Sequence, residues 1–202
     1  MANKNRTGYY PVGTLNGSPW FGGVRRFVAN TVAANVCVGD LVSLDALGKA
    51  QVTAAGGTNI LGAVVGIEPV TRTTSSVQAS SLTLERVYLP SAASGTTYVR
   101  VACDPFTIFE TVLGNTTTPL FANSIGENFD ILTTAGGQQS PSTTPLGPAV
   151  LDGGNPLGNV SGQVIVMAIP EYPDNEAGAN QRIHVIINES FWKAGKATAS
   201  QN

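Results

Sequence analysis

The sequence predicts an all-β protein: an antiparallel β-barrel or jelly-roll-like sandwich with an extended N-terminal arm and long loops. Three observations carry that prediction. Short apolar, β-branched segments recur at even spacing between turns rich in Gly, Asn and Asp, which is the pattern of antiparallel strands. Charged residues are only 12% of the 202 positions while 42% are hydrophobic, about half the usual charge and the reverse of the polar, highly charged composition of disorder. Between Glu110 and Glu127, and again between Asp130 and Asp152, no charged residue occurs and Thr, Gly, Pro, Asn and Ser dominate. Such stretches read as long loops and short strands that meet other protein surfaces.

Taken in order, residues 1–23 are the arm. Tyr9, Tyr10, Trp20 and Phe21 lie among Gly8, Pro11, Gly13, Pro19, Gly22 and Gly23 with neither a helical nor an alternating period. Asn16-Gly17 can close a type I′ turn, and Pro19 limits the pairing after it. Each of the four aromatics buries ~150–250 Å² when covered, so they either cap the arm's own domain or dock on a neighbour. Residues 24–190 form the β domain. Strands over Val24–Ala29, Asp40–Leu44, Ala50–Thr53 and Ile60–Ile67 are punctuated by Gly39, Gly48 and Gly56-Gly57, and the unit from Val38 to Ile67 reads as a meander closing into a small barrel. Gly62 and Gly66, inside a strand, mark a bend or a close backbone approach at a barrel corner.

The polar stretch Thr71–Ser81 fits an exposed loop or a protruding hairpin and is read as a simple loop. Strands resume at Leu84–Leu89, Thr97–Cys103, Phe106–Val112, Asn128–Leu132, Gln163–Ile169 and Arg182–Asn188. In the last, strand alternation puts Ile183, Val185 and Ile187 on one face and His184 and Ile186 on the other. Only short helical turns fit Leu120–Ile125 and Ser190–Lys196, and residues 191–202 are a C-terminal tail.

Composition also bears on function. A net charge of −2 offers no field to draw nucleic acid or an anionic membrane. The start lacks an apolar signal region and no run is long enough to span a bilayer, so the expected compartment of synthesis is a cytoplasm. Cys37 and Cys103 are then buried thiols rather than a disulfide or a metal pair. The Asn-x-Ser/Thr triplets at Asn5, Asn16, Asn115, Asn159 and Asn188 are chance matches in that setting. General acid–base and nucleophilic catalysis need ionisable groups at defined separations. Here the acids are scattered and the single histidine, His184, has no partner spacing for a metal, so no catalytic residue, cofactor or metal is assigned and His184 is read as structural or interfacial. Asp104-Pro105 and Asp152–Pro156 are turns rather than Ca²⁺ loops, and Glu171–Glu176, with three of the thirteen acids, is a solvated or intersubunit loop.

Several phrases are familiar together: Val38-Gly39-Asp40-Leu41-Val42-Ser43-Leu44-Asp45, Ile60 to Glu68, Val87-Tyr88-Leu89-Pro90, Tyr98 to Pro105 leading to Ile108-Phe109-Glu110, Pro173 to Glu176 with the small residues Ala177 to Ala179, and Ile183 to Asn188. In this order, over roughly residues 36 to 190, the chain resembles the capsid decoration, or cement, proteins of tailed double-stranded DNA bacteriophages. The resemblance implies a β-barrel or jelly-roll protein in many copies, bound to the outside of the capsid, with the major capsid protein and itself as partners. A homodimer on lattice two-folds is preferred to a homotrimer on three-folds. Interface residues expected from the flanking aromatics and basic residues are Tyr9, Tyr10, Trp20, Phe21, Arg25, Arg26 and Trp192. The competing expectation is a head or tail fibre adsorption protein that binds host-surface glycans.

Overall fold

The computed structural model describes residues 7–30, 36–68, 88–89, 96–114, 120–132, 150–152, 162–178 and 180–192. Fourteen strands are defined among them: β1 (Tyr10–Thr14), β2 (Val24–Val28), β3 (Val36–Cys37), β4 (Leu41–Leu44), β5 (Ala50–Val52), β6 (Ile60–Ile67), β7 (Tyr88–Leu89), β8 (Tyr98–Ala102), β9 (Thr107–Val112), β10 (Asn128–Phe129), β11 (Ile131–Leu132), β12 (Val150–Leu151), β13 (Val164–Ala168) and β14 (Arg182–Ile187). They build two five-stranded sheets with orders β1-β9-β14-β13-β10 (sheet I) and β2-β8-β6-β4-β5 (sheet II), and two short ribbons, β11-β12 and β3-β7. Every pairing between these strands is antiparallel. The protein is all-β, with its sheets in a sandwich-like arrangement.

Two apolar clusters explain why the sheets stack as they do. The larger joins Phe109, Val164, Val166, Ile183, Val185 and Ile187 of sheet I to Leu41, Ile60, Ala63 and Ala102 of sheet II. The smaller lies on the other side of sheet II and holds Val42, Leu61, Val64, Val99 and Val101 with Val36 and Leu89 of the β3-β7 ribbon. Around β4 and β6 sheet II is therefore covered on both faces, which is why β6 is almost continuously apolar. Its edges also meet: Ala29, just past β2, bridges Ala50 at the start of β5, and the Asn30 N–H donates to the Ala50 carbonyl at 2.7 Å. The sheet thus curls toward a barrel, but the unit from Val38 to Ile67 is not the expected meander, because β4 lies between β5 and β6.

Gly62 is the corner. Val42 pairs with Gly62 while Ser43 pairs with Ile60, so Leu61 is an extra residue on β6. Such a bulge inverts the alternation, and Ile60 and Ala63 consequently face one core while Leu61 and Val64 face the other. A Cβ at Gly62 would lie 2.0 Å from the Ala102 carbonyl oxygen, and its φ is +154°, so only glycine permits this approach of β6 to β8. Gly66 marks a second register shift, opposite Arg100.

The arm is where the structure departs from the expected layout. Residues 10–14 are the edge strand of sheet I, paired to β9 from Tyr10↔Glu110 to Thr14↔Thr107, and the Tyr9 N–H donates to the Gly39 carbonyl. Asn16-Gly17 does make a tight turn, with Gly17 at φ +83° and the Thr14 N–H bonded to the Ser18 carbonyl at 3.0 Å, but not the expected type I′, since Asn16 lacks the positive φ that type requires. Residues 7–20 thus belong to the β core, because Tyr9 inserts there completely buried. At the other end the expected boundary at residue 190 does not separate the chain either. Ser190 bridges Ile60, and the Phe191 N–H donates to the Ile60 carbonyl. Of the expected helical turns, Ala122–Ser124 is a single 3-10 turn, while the Ser190 segment is a turn at 191–192 and lies outside the described residues beyond that. The Thr71–Ser81 loop and most of Leu84–Leu89 lie outside them too.

Candidate interaction surface

Three chain segments converge at one end of the barrel. The turn Gly22-Gly23 leads into β2, the turn after β8 runs through Cys103-Asp104-Pro105, and Trp192 arrives from β14 by way of the Ser190–Ile60 bridge. Together they line an open groove of about 500 Å³. Asp104 shapes its rim: its carboxylate accepts the Phe106 N–H at 2.9 Å, an Asx turn that leaves the Phe106 ring in solvent. Leu15, in the hairpin after β1, donates its N–H to the Phe106 carbonyl and brings a second apolar side chain alongside.

The exposed apolar side chains of this end are large. Phe21 is 85% exposed, Phe106 61%, Leu15 44%, Phe191 40% and Trp192 39%. Phe191 and Trp192 meet edge to face with ring centroids 5.0 Å apart, and the Arg25 guanidinium sits 5.3 Å from the Trp192 ring centroid. An aromatic ring held by a neighbouring ring and a cation is pre-ordered, so covering it sacrifices little side-chain entropy. Chemically, this surface can bury apolar area and make cation–π and neutral hydrogen bonds.

The seven expected interface residues divide. Arg25 and Trp192 come together in the groove, and Phe21 is exposed immediately before its Gly22-Gly23 turn. Arg26 lies on the other face of β2, bonded to Glu68 and stacked on Tyr98. Tyr10 is half-buried, its hydroxyl donating to the Thr7 carbonyl at 3.0 Å, and Trp20 packs against the larger core with its indole N–H enclosed and without a hydrogen-bond partner among the described residues. Tyr9 has to be corrected: it is a core residue beside Thr111, and burial pushes its hydroxyl far above the usual tyrosine range. Phe106, Phe191 and Leu15 were missed, although Phe106 follows a turn and Phe191 precedes Trp192. Their exposure depends on which way each turn aims its side chain, and sequence spacing carries no such signal.

A second cluster covers the outer face of sheet I. Strand register sets Glu110 of β9 directly opposite His184 of β14, and the His184 Nε2 lies 3.6 Å from the Glu110 carboxylate. Tyr172 packs edge-on to the imidazole at 6.5 Å and hydrogen-bonds Glu110. Arg182, two residues from His184 on the same face, stacks on Tyr172 and pairs with Asp174. Asn175 accepts the Arg182 N–H at 2.7 Å and donates to the Pro170 and Arg182 carbonyls. His184 facing Glu110, more than Arg182 and Tyr172, holds the Glu110 carboxyl below the usual carboxylate range against the opposing effect of burial. The Glu171–Glu176 loop is therefore docked on its own sheet, and His184 has a partner that only strand pairing discloses.

The thiols are enclosed. Cys37 and Cys103 do not form a disulfide, and burial, with Asp40 adding to it, pushes the Cys37 thiol up to about 12. Among the described residues no group of three or more His, Cys, Asp or Glu converges on a metal-sized site, and no helix is long and apolar enough to cross a membrane.

Comparison of the chain with protein-family models, with curated proteins and with solved structures finds no match.

Proposed function

We propose that the chain is a virion structural protein: a capsid decoration, or cement, subunit that binds the outer surface of a tailed-phage head and holds neighbouring capsomers of the major capsid protein together. One observation carries the reading. Arg25 and Trp192 line one groove, Phe191 packs edge to face on Trp192, and exposed Phe21 and Phe106 directly precede or follow groove-lining residues, on a β scaffold with few charges. Clustered aromatics with an arginine are the side chains that dominate interface energies. A protein whose work is to remain bound needs such anchors and a stiff body, and needs no reactive constellation.

Mechanically, pressure from packaged DNA pulls capsomers apart. A subunit bound across two of them adds to the intact lattice a binding free energy that separated capsomers lose. Repetition over the lattice multiplies a modest contact by avidity. Low charge suits a buried seam, where an unpaired charge is costly. Copies of the subunit pair as dimers on lattice two-folds.

Particles lacking the protein should assemble but rupture at lower temperature and under milder osmotic shock than particles carrying it, and the wild-type particle should hold hundreds of copies. Particles without it that resist heat as well as wild type yet fail to adsorb to cells would replace this reading with that of a glycan-binding fibre protein.

A further inference from the structure

On the outside of sheet II, Arg26 of β2 and Arg100 of β8 are direct cross-strand partners. Like charges so placed repel and destabilise a strand pair, so the arrangement requires an offset. Glu68, at the end of β6, supplies half of one. The Arg26 Nε–H donates to its Oε2 at 2.7 Å and the Arg100 Nε–H to its Oε1 at 3.1 Å. Burial works against ionisation of Glu68, yet the hydrogen bonds from Arg100 and Arg26 prevail and hold its carboxyl below the usual range. The Arg26 guanidinium also lies over Tyr98, its Cζ 3.4 Å from the ring centroid. Tyr98 is fixed in turn, since its carbonyl accepts the Glu68 N–H at 2.8 Å.

The result is two planar donor forks anchored by their inner edges. Their terminal Nη groups have no hydrogen-bond partner among the described residues. The arginine side chains are 50% and 60% exposed while Glu68 is 20% exposed, so one positive charge remains uncompensated and faces outward. Guanidinium forks fixed in orientation match the two oxygens of a planar oxoanion, and a charge-assisted bidentate contact is the strong form of this bond.

We propose that Arg26 and Arg100 form a binding site for a single carboxylate group, with Glu68 and Tyr98 as positioning residues. A carboxylate matches the residual charge of one. A phosphate dianion would exceed it and meet the Glu68 carboxylate behind the forks. The site stands apart from the aromatic groove and does not rest on the capsid reading.

The test is a titration of the full-length protein followed by ¹H–¹⁵N correlation spectra of the arginine Nε–H groups, which Glu68 shields from exchange. Sodium acetate and a glutamate tripeptide with blocked termini are compared with sodium phosphate and sodium chloride at equal ionic strength. Acetate should shift the Arg26 and Arg100 signals saturably, and chloride should not. Saturation by the blocked peptide as well identifies a protein side chain as the source of the carboxylate; saturation by acetate alone identifies a free small acid. Arg100→Lys keeps the charge but loses the fork, and should weaken acetate about tenfold with backbone amide signals otherwise in place. Equal shifts with acetate and chloride, tighter binding of phosphate, or unchanged acetate affinity in Arg100→Lys would each overturn the proposal.

Discussion

The side-chain amide of Gln163, at the start of β13 in sheet I, donates to the carbonyl of Gly57, in the turn between β5 and β6 of sheet II, at 2.7 Å. The same NH₂ donates to the Ala54 carbonyl and the Gln163 Oε1 accepts the N–H groups of Gly56 and Ile131. All four hydrogen-bonding positions of the amide are used in a side chain with almost no exposure. One residue thus ties the two sheets together. Gln163→Leu keeps the bulk but removes a partner from four backbone groups, of which the Ala54 carbonyl still accepts the Gly57 N–H, so unfolding free energy should fall by about 2–4 kcal/mol in urea denaturation. A loss below about 1 kcal/mol would show that other contacts hold the turn.

Stability should fall on acidification through Glu110. Its folded-state pKa is depressed below the model-compound 4.5, by His184 first, and Arg182 and Tyr172 act in the same direction. The sign follows from linkage: the contribution is complete above the unfolded-state pKa and disappears as pH falls through the lower folded-state value. Glu110→Gln should therefore flatten the pH dependence of unfolding free energy on the acid side of about pH 4.5 while lowering stability at neutral pH. An acid limb unchanged in Glu110→Gln would assign the effect to other carboxylates.

Alkylation should separate the thiols. The reactive species is the thiolate, and burial raises both pKa values, Cys37 to about 12. Cys103 lines the groove, whereas Cys37, in β3 of the β3-β7 ribbon, is almost fully buried. In native protein at mildly alkaline pH, Cys103 should react slowly and Cys37 more slowly still, with both reacting at once in urea. Cys37 labelling at the rate of an exposed thiol would contradict its packing.

Phe21→Ala and Trp192→Ala should leave the melting temperature of the isolated subunit within about 2 °C of wild type, because neither ring belongs to a core cluster. Each should nevertheless weaken attachment to capsids by more than about 1 kcal/mol, read as loss of bound subunit on dilution. Tyr9→Ala should do the reverse: it empties the larger core and should destabilise the subunit by about 3–5 kcal/mol. Capsid binding unaffected by both surface changes would move the interface away from this groove.

Most strands from β2 onward were legible in the chain, although β12 was not and the single strand expected over Asn128–Leu132 divides into β10 and β11 in different sheets. Val24–Val28, Ile60–Ile67, Thr107–Val112 and Arg182–Ile187 fall where alternation and flanking turns put them, because one-sided burial imposes a period of two on the residues themselves. The facing of β14 was legible for the same reason, with Ile183, Val185 and Ile187 turned into the core. Local chemistry likewise marked the Asn16-Gly17 turn and the demand for glycine at position 62.

Tertiary structure alone decided the rest. β1 could not be read from Tyr10–Thr14, since an edge strand containing Pro11 and Gly13 carries little intrinsic preference and gains its conformation from β9. Nor could the Glu110–His184 pair, the Gln163 clamp or the opposition of Arg26 to Arg100. Each joins residues on strands whose partners follow from topology, and strand order is set by which apolar faces can be covered together, a global property that spacing along the chain does not record. The same holds for Tyr9 and Phe21. Both are aromatics in a Gly- and Pro-rich segment, but the register of β1 turns the first into the core, while the Gly22-Gly23 turn leaves the second in solvent.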